Sequence, residues 1–320
     1  MIYAEKCFTF YKFHADEVTV QDRTPTIPVC DYEGSDYQTR FWENKGRDYE
    51  DLVERIAIRH LLPGQGKRLL EIGAGFGRLA DLYQGYEQIV LLDYSKSLLQ
   101  QAKKRLGGQK HIYIAANVYQ LPLAADQFNA VCMVRVIHHL VDIPLALSQI
   151  DRVLGPGGVF LLEFANKCNL KAIMRRTLRL QTWSPFDLEP IEFAPLNFDF
   201  HPRWMRTQLE KQGFAIRRMR TLSHFRLALL KRLVPARILS ALDGLFQPSG
   251  QWWQFTPSVM MLAQRKGIPQ TSVPESILFL CPTCRNSNWQ TTQSEMHCLS
   301  CHTRWRIDDG IYDFKTPIED

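Results

Sequence analysis

The sequence predicts an α/β protein: a doubly wound, mostly parallel sheet of seven strands, followed by a small appendage built on four cysteines. Three observations predict it. Short apolar runs alternate with amphipathic stretches from residue 49 to residue 164, the rhythm of strand–helix–strand units whose strands are covered on both faces. Gly73, Gly75 and Gly77 cluster where the first strand should give way to a helix. Near the C-terminus Cys281, Cys284, Cys298 and Cys301 crowd into 21 positions, whereas Cys7, Cys30, Cys132 and Cys168 are scattered.

Length and composition set the frame. A chain of 320 residues can bury a full-sized core and carry one large domain with a small one. Hydrophobic residues make up 45% and charged residues 22%, which is ordinary for a globular chain. No run of about 18 apolar residues reads as a membrane-spanning helix. The first residues carry early acids and lack the basic-then-apolar order of a secretory signal. The expected compartment is cytoplasmic, where clustered thiols read as metal ligands rather than disulfides. The net charge of +6 is uneven, because residues 165–240 hold 15 Lys/Arg against 5 Asp/Glu. Such an excess can steer an anionic partner or simply coat a solvated helical surface.

The elements follow in order. Residues 1–48, rich in aromatics such as Tyr32, Tyr37, Phe41 and Trp42, form a leader expected to pack on the main domain. A helix over 49–62 carries an apolar stripe read as Leu52, Ile56, Ile58 and Leu61, and Pro63-Gly64 ends it. Strands are expected at 68–72, 88–92, 111–115, 128–134 and 159–164, with helices at 78–83, 95–106 and 144–154 between them. Residues 165–200 contain Pro185, Pro190 and Pro195 and read as an irregular insertion or lid. A helix at 202–212, a strand at 214–221, an amphipathic helix near 224–246 and a strand at 258–264 complete a domain over 49–265. Residues 266–276 read as a linker to a second unit at 277–320.

The turn Glu71-Ile-Gly73-Ala-Gly75-Phe-Gly77 carries the functional argument. Glycines two apart between a buried strand and a helix let the backbone approach a ligand and accept positive φ. A dinucleotide fingerprint would place its third glycine where Arg78 stands. The offset points away from a pyrophosphate seat. The second strand ends in Asp93, where a carboxylate can accept from both hydroxyls of a ribose.

Residues 68–164 resemble the class I methyltransferases, whose domain is Rossmann-like, and particularly the branch similar to ubiquinone/menaquinone-biosynthesis methyltransferases. The matching motifs are Glu71 to Gly77, Asp93, Asn117-Val-Tyr-Gln-Leu-Pro-Leu123, Phe128-Asn-Ala-Val131, His138-His-Leu140 and Arg152-Val-Leu-Gly-Pro-Gly-Gly158. The resemblance extends over roughly residues 40–265. It implies S-adenosyl-L-methionine as cofactor, held by Glu71, Gly73, Ala74, Gly75 and Gly77, by Asp93 and Tyr94, by Asn117 and Val118, and by Arg135. Two positions depart from the family pattern, since Asn117 and Asn129 stand where Asp is usual. An amide both donates and accepts, so Asn117 is expected to meet the adenine amino group through its carbonyl oxygen.

Methyl transfer from a sulfonium needs alignment first, and a base only when the acceptor holds a proton of high pKa. His138 and His139, at the end of the fourth strand, are the candidate catalytic residues; the competing reading is a loop-ordering histidine bonded to backbone. Arg135 beside them is a candidate for holding an anion. By resemblance the leader folds over the cofactor, with Tyr37, Trp42 or Tyr49 against the sulfonium, though core packing is the commoner fate of such residues.

Cys281-Pro-Thr-Cys284 and Cys298-Leu-Ser-Cys301 have zinc-ribbon spacing, two knuckles that together offer four thiolates to a structural Zn2+. His297 and His302 flank the second knuckle and are not expected as ligands. The run 281–314 resembles the small zinc-ribbon activator that partners several tRNA and protein methyltransferases. Three functions follow: methyl transfer to a small-molecule or lipid-like acceptor, methyl transfer to RNA or protein with the ribbon as a docking module, and a non-enzymatic cofactor-binding scaffold. The first is favoured, and the helix near 224–246 would suit a membrane surface or a core. No RNA-binding module signature appears.

Overall fold

The computed structural model describes residues 27–34, 47–268 and 279–319. Helix α1, Asp48–Leu61, precedes β1, Gly66–Ile72. Then come β2 (Tyr86–Asp93), α2 (Lys96–Leu106), β3 (His111–Ala115), β4 (Phe128–Met133), α3 (Ile143–Val153) and β5 (Leu154–Ala165). After α4 (Leu170–Thr177) and the hairpin of β6 (Ile191–Ala194) with β7 (Asn197–Asp199), the chain returns through α5 (Pro202–Lys211) and β8 (Phe214–Leu222). Helices α6 (Ala228–Leu233) and α7 (Ala236–Phe246) lead to β9 (Ser258–Arg265). The cysteine segment supplies β10 (Trp289–Thr291), β11 (Glu295–Cys298), β12 (Arg304–Asp308) and β13 (Ile311–Asp313).

The seven expected strands lie side by side as β3-β2-β1-β4-β5-β9-β8. β1 runs parallel to β2 and β4 at the centre, and Leu69 and Leu70 are fully buried. β9 is antiparallel to β5 and β8. One apolar core packs α3 and α5 on one face, through Leu147, Ile150, Met205 and Leu209. The other packs α1 and α2 through Val53, Ala57, Ile58, Leu99 and Ala102. No helix among the described residues is long and apolar enough to cross a membrane.

Five differences from the sequence reading stand out. The sheet has eleven strands, because β13 pairs in parallel with β3, from Ile311 beside Tyr113 to Asp313 beside Ala115. Without β13, β3 would be an open edge. The buried face of α1 is Tyr49, Val53, Ala57, Ile58 and Leu61, so Leu52 and Ile56 are only partly covered. The stretch near 224–246 breaks into α6 and α7 at Val234-Pro235, since proline cannot continue a helix from within. The 165–200 insertion carries α4 and a hairpin, and the short segment after Arg78 makes a single tight turn at Ala80–Tyr83.

Candidate functional site

The C-terminal ends of β1, β2 and β4 open on one cleft, the place where parallel α/β sheets receive ligands. Its walls include Ile72, Gly73, Gly75, Asp93, Tyr94, Ala116, Val118 and Arg135. After β1 the chain doubles back: Gly73 and Ala74 both donate to Leu92 O, at 2.7 and 3.1 Å, which fixes the turn against β2. Gly75 has φ +53°, and a β-carbon there would meet nothing within 4 Å. At that point the turn presents bare backbone to the cleft.

Asp93 ties the turn to the second strand. Its carboxylate accepts from Gly75 N at 2.7 Å and from Ser95 N at 2.8 Å. Burial, opposed by those two bonds and reinforced by Asp31 and Glu33, pushes its pKa up to about 6. Each carboxylate oxygen keeps a further lone pair for a hydroxyl donor. Glu71 lines an adjoining crevice with Arg78 and Arg135. Burial raises its pKa to about 8, so the carboxyl is largely protonated at neutral pH, and its Oε2 has no hydrogen-bond partner among the described residues.

Arg135 lies between the two crevices on a left-handed backbone, φ 61°. Its amide donates to Glu163 Oε2 at 2.9 Å, and its guanidinium pairs with Glu54 of α1 at 2.6 Å. Glu54 also takes Arg78 at 2.6 Å. Burial disfavours the Glu54 charge, but Arg135 and Arg78 more than offset this and hold its pKa below the ordinary value.

The two histidines part company. His139 Nδ1 lies 2.9 Å from Leu196 O, and a carbonyl can only accept, so this nitrogen carries the proton. Its Nε2 then accepts from Tyr32 Oη at 3.3 Å, and the two rings meet edge-on at 5.9 Å. His139 therefore orders the cleft wall, the loop-ordering role. His138 packs against it with ring centroids 4.1 Å apart and planes tilted by 48°, and its Nδ1 is buried without a partner among the described residues. Burial first, then His139 and Arg135, lower its pKa well below the ordinary histidine value, so the ring is neutral.

Other expected residues fall elsewhere. Asn117 Oδ1 accepts from Tyr119 N at 2.9 Å and caps a one-turn helix, which leaves that oxygen one further lone pair. Its neighbours Ala116 and Val118 line the cleft instead. Asn129 accepts from Lys67 N and Arg68 N and stitches β4 to β1. Tyr49 is core, donating to Asp243 at 2.6 Å, so it does not reach the cleft. Tyr37, Trp42, Phe41 and Cys7 lie outside the described residues, as do most of the linker and leader.

Residues that sequence reasoning missed do reach the site. Val29, Cys30 and Tyr32 close one side of the cleft. Glu33 anchors that strap, accepting from Lys96 N and Ser97 N at 2.7 and 3.0 Å. Lys315, beyond β13, pairs with Glu33 at 3.3 Å and lies 5.2 Å over the Tyr94 ring. Glu54, the partner of Arg78 and Arg135, was missed as well, and for it the sequence did hold a signal: an acid set inside the buried stripe of α1 asks for a buried cationic partner.

At the far end of the sheet the four cysteine sulfurs all lie within 4.8 Å of one another. Cys281 Sγ is 3.6 Å from Cys301 Sγ, and Cys284 Sγ is 3.5 Å from Cys298 Sγ. These separations exclude disulfides, which need about 2.05 Å. They approach the edge of roughly 3.8 Å expected for a tetrahedron with Zn–S bonds of about 2.3 Å. Neither His297 nor His302 belongs to the cluster.

Comparison with known proteins bears on the cleft. Residues 70–162 match the family model of a methyltransferase domain, so the chain carries such a domain. The chain is similar to a demethylmenaquinone methyltransferase of Clavibacter sepedonicus, 31% identical over 119 residues, 36% of this chain and 49% of that protein. It is also similar to a malonyl-[acyl-carrier protein] O-methyltransferase of Erwinia pyrifoliae, 28% identical over 121 residues, 38% and 45% of the two chains. The chain spans about half the length of these curated relatives or less. Among solved structures it resembles a chain from a complex between the Haloferax volcanii Trm112 methyltransferase activator and a methyltransferase. There the TM-score is 0.50 at 14% identity, over 72% of this chain and 95% of that one, a likeness of fold.

Proposed function

We propose that the chain transfers a methyl group from S-adenosylmethionine to a small or lipid-like acceptor. One observation carries this reading: a left-handed Gly75 with open space above it, bonded to the buried Asp93 carboxylate at the rim of a parallel sheet. The domain match over residues 70–162 supports it. The residues present fit the cofactor, because Gly73 to Gly77 offer bare backbone and Asp93 keeps acceptor capacity for ribose hydroxyls. Tyr94, Ala116 and Val118 would flank its base. When bound, S-adenosylmethionine supplies a methyl group on an already activated sulfonium, so alignment and exclusion of water are what the protein contributes. Tyr32, braced by His139, shields the cleft from solvent, and Arg135, fixed by Glu54, presents a cation at the turn.

The names of the relatives point to quinone and acyl-carrier substrates, which favours a small acceptor with apolar character. An RNA acceptor is the second reading, suggested by the basic excess over 165–240. We also assign the four thiolates to a structural zinc ion, on the separations of their sulfurs. Full-length protein given labelled cofactor together with a lipid extract and bulk tRNA decides the acceptor. Label is expected in the organic phase. Label confined to tRNA overturns the small-acceptor reading, and no calorimetric affinity for S-adenosylhomocysteine overturns the enzyme reading.

A further inference from the structure

Helix α7 has a mixed inner face and an apolar outer one. Leu239 joins the core, Ser240 and Asp243 are buried beside it, and Gln247 is buried just past its end. Asp243 accepts from Tyr49, and Gln247 Nε2 donates to Val53 O at 3.0 Å. Its outer face carries Ile238, Leu242 and Leu245, about one turn apart and 53%, 41% and 76% exposed. The helix thus buries one leucine with most of its polar groups and leaves three large apolar side chains outside.

This apolar surface continues on both flanks. Phe246 meets Phe225 at 6.0 Å, and from there the chain enters α6, which buries no residue and exposes Leu229 and Leu233. Beyond α7 stand Trp252 and Trp253, 74% and 67% exposed. Leu170 N donates to Phe255 O at 2.8 Å, which brings the start of α4 alongside. There Leu170, Met174 and Leu178 form a second exposed stripe at helical spacing. The exposed charges that these segments themselves carry have one sign, and Asp48 of α1 is an acid at their edge, in the groove with Arg232 and Leu233. Lys171, Arg175, Arg176, Arg179, Arg232 and Arg237 are exposed. No acid occurs in 170–180, and the single acid of 226–255 is the buried Asp243. On either side of 170–180 in sequence, Glu163 is buried, and Asp187, Glu189 and Glu192 belong to the segment after α4.

We propose that this face docks on a lipid surface bearing anionic headgroups. Apolar patches of this extent are kept in water only where something covers them. The lipid interface matches all three components: the acyl boundary takes leucines in the plane of a helix, the headgroup level takes tryptophan, and anionic headgroups take arginine and lysine. Docking does not rest on the methyl-transfer reading. Its consequence does: a lipid-like acceptor would reach the neighbouring 166–200 segment without crossing bulk water.

Sedimentation of the full-length protein with vesicles tests the proposal. The protein should co-sediment with phosphatidylcholine–phosphatidylglycerol vesicles and far less with phosphatidylcholine alone, and added salt should weaken the binding. The double variants Leu242→Glu with Leu245→Glu, and Arg175→Glu with Arg232→Glu, should each lower the vesicle affinity about tenfold or more. Both pairs are solvent-exposed, so thermal melting should match wild type and certify the fold. Absence of co-sedimentation, indifference to lipid charge, or wild-type binding by the leucine variant overturns docking. A dimer that the leucine variant dissolves, without vesicle binding, assigns the face to a second copy and also overturns it. Affinity for S-adenosylhomocysteine, measured in parallel, reports on methyl transfer alone.

Discussion

At Gly73 an added β-carbon would lie 2.0 Å from Val136 Cγ2, and at Gly77 2.6 Å from Leu106 Cδ1, while at Gly75 it would meet nothing. The first and third glycines are therefore held by packing, and the middle one by its backbone conformation and by what must approach it. Gly73→Ala should lower the melting temperature markedly. Gly75→Ala should cost only about 1–2 kcal/mol of left-handed strain yet weaken S-adenosylhomocysteine binding several-fold, as calorimetry would show. Asp93 adds a pH signature. Its pKa is raised from 3.8 to about 6 in the folded protein. Ionising it therefore costs the free protein stability as pH rises across about 4 to 6. Ribose hydroxyls donate to the ionised form, so bound cofactor lowers that pKa. Affinity for S-adenosylhomocysteine should be flat above about pH 7 and fall as pH drops below about 6, by up to tenfold per unit. Asp93→Asn should bind more weakly and lose that slope; a slope that survives the substitution refutes the assignment.

At the scale of elements, α1 works as the brace of the cleft. Glu54 holds Arg78, next to the glycine turn, and Arg135, at the end of β4. Glu54→Gln leaves two largely buried cations short of a counter-charge and should destabilise the protein by about 3 kcal/mol. It should also weaken cofactor binding, a loss that circular dichroism melts and calorimetry can separate. Because the pKa of Glu54 is lowered, its contribution is present above the unfolded carboxylate value of 4.5 and is lost only as pH falls below it. The alternating strands and the glycine turn were legible in the sequence because their signals are local: period, turn residues and caps such as Ser95 for α2. Tyr32 and Lys315 were not, since they reach the cleft from opposite ends of the sequence. The capping bond of Asn117 was local too, its side chain accepting from the amide two residues on. The exposed stripe of α7 was hidden because leucines read the same in sequence whether they face a core, as Leu239 does, or the surface, as Leu242 and Leu245 do.

Over the whole molecule, the cysteine segment is less an appendage than the edge of the sheet. β13 lies against β3 along three residue pairs, ending beside Ala115, one residue before the cleft wall at Ala116. From β13, Lys315 reaches Glu33 of the strap that carries Val29, Cys30 and Tyr32, and Lys96 at the start of α2 lies 3.2 and 3.5 Å from Asp308 and Asp313. The buried apolar side chains along β10–β13 are Met296, Trp305, Ile311 and the adjoining Phe314, with Trp289, Ile307 and Tyr312 partly buried beside them; for so small a set the four thiolates with the proposed metal should supply much of that segment's folding energy. Loss of the metal would then free β13, expose β3 as an edge strand and release one anchor of the strap. Chelation of the full-length protein, or Cys298→Ser at its fully buried ligand position, should abolish amide-exchange protection in both β13 and β3. The same treatment should weaken S-adenosylhomocysteine binding several-fold, although no cysteine of the cluster touches the cleft. Protection lost in the four C-terminal strands, with β3 and cofactor affinity unchanged, would show that the ribbon folds on its own account and that its contact with β3 transmits nothing to the site.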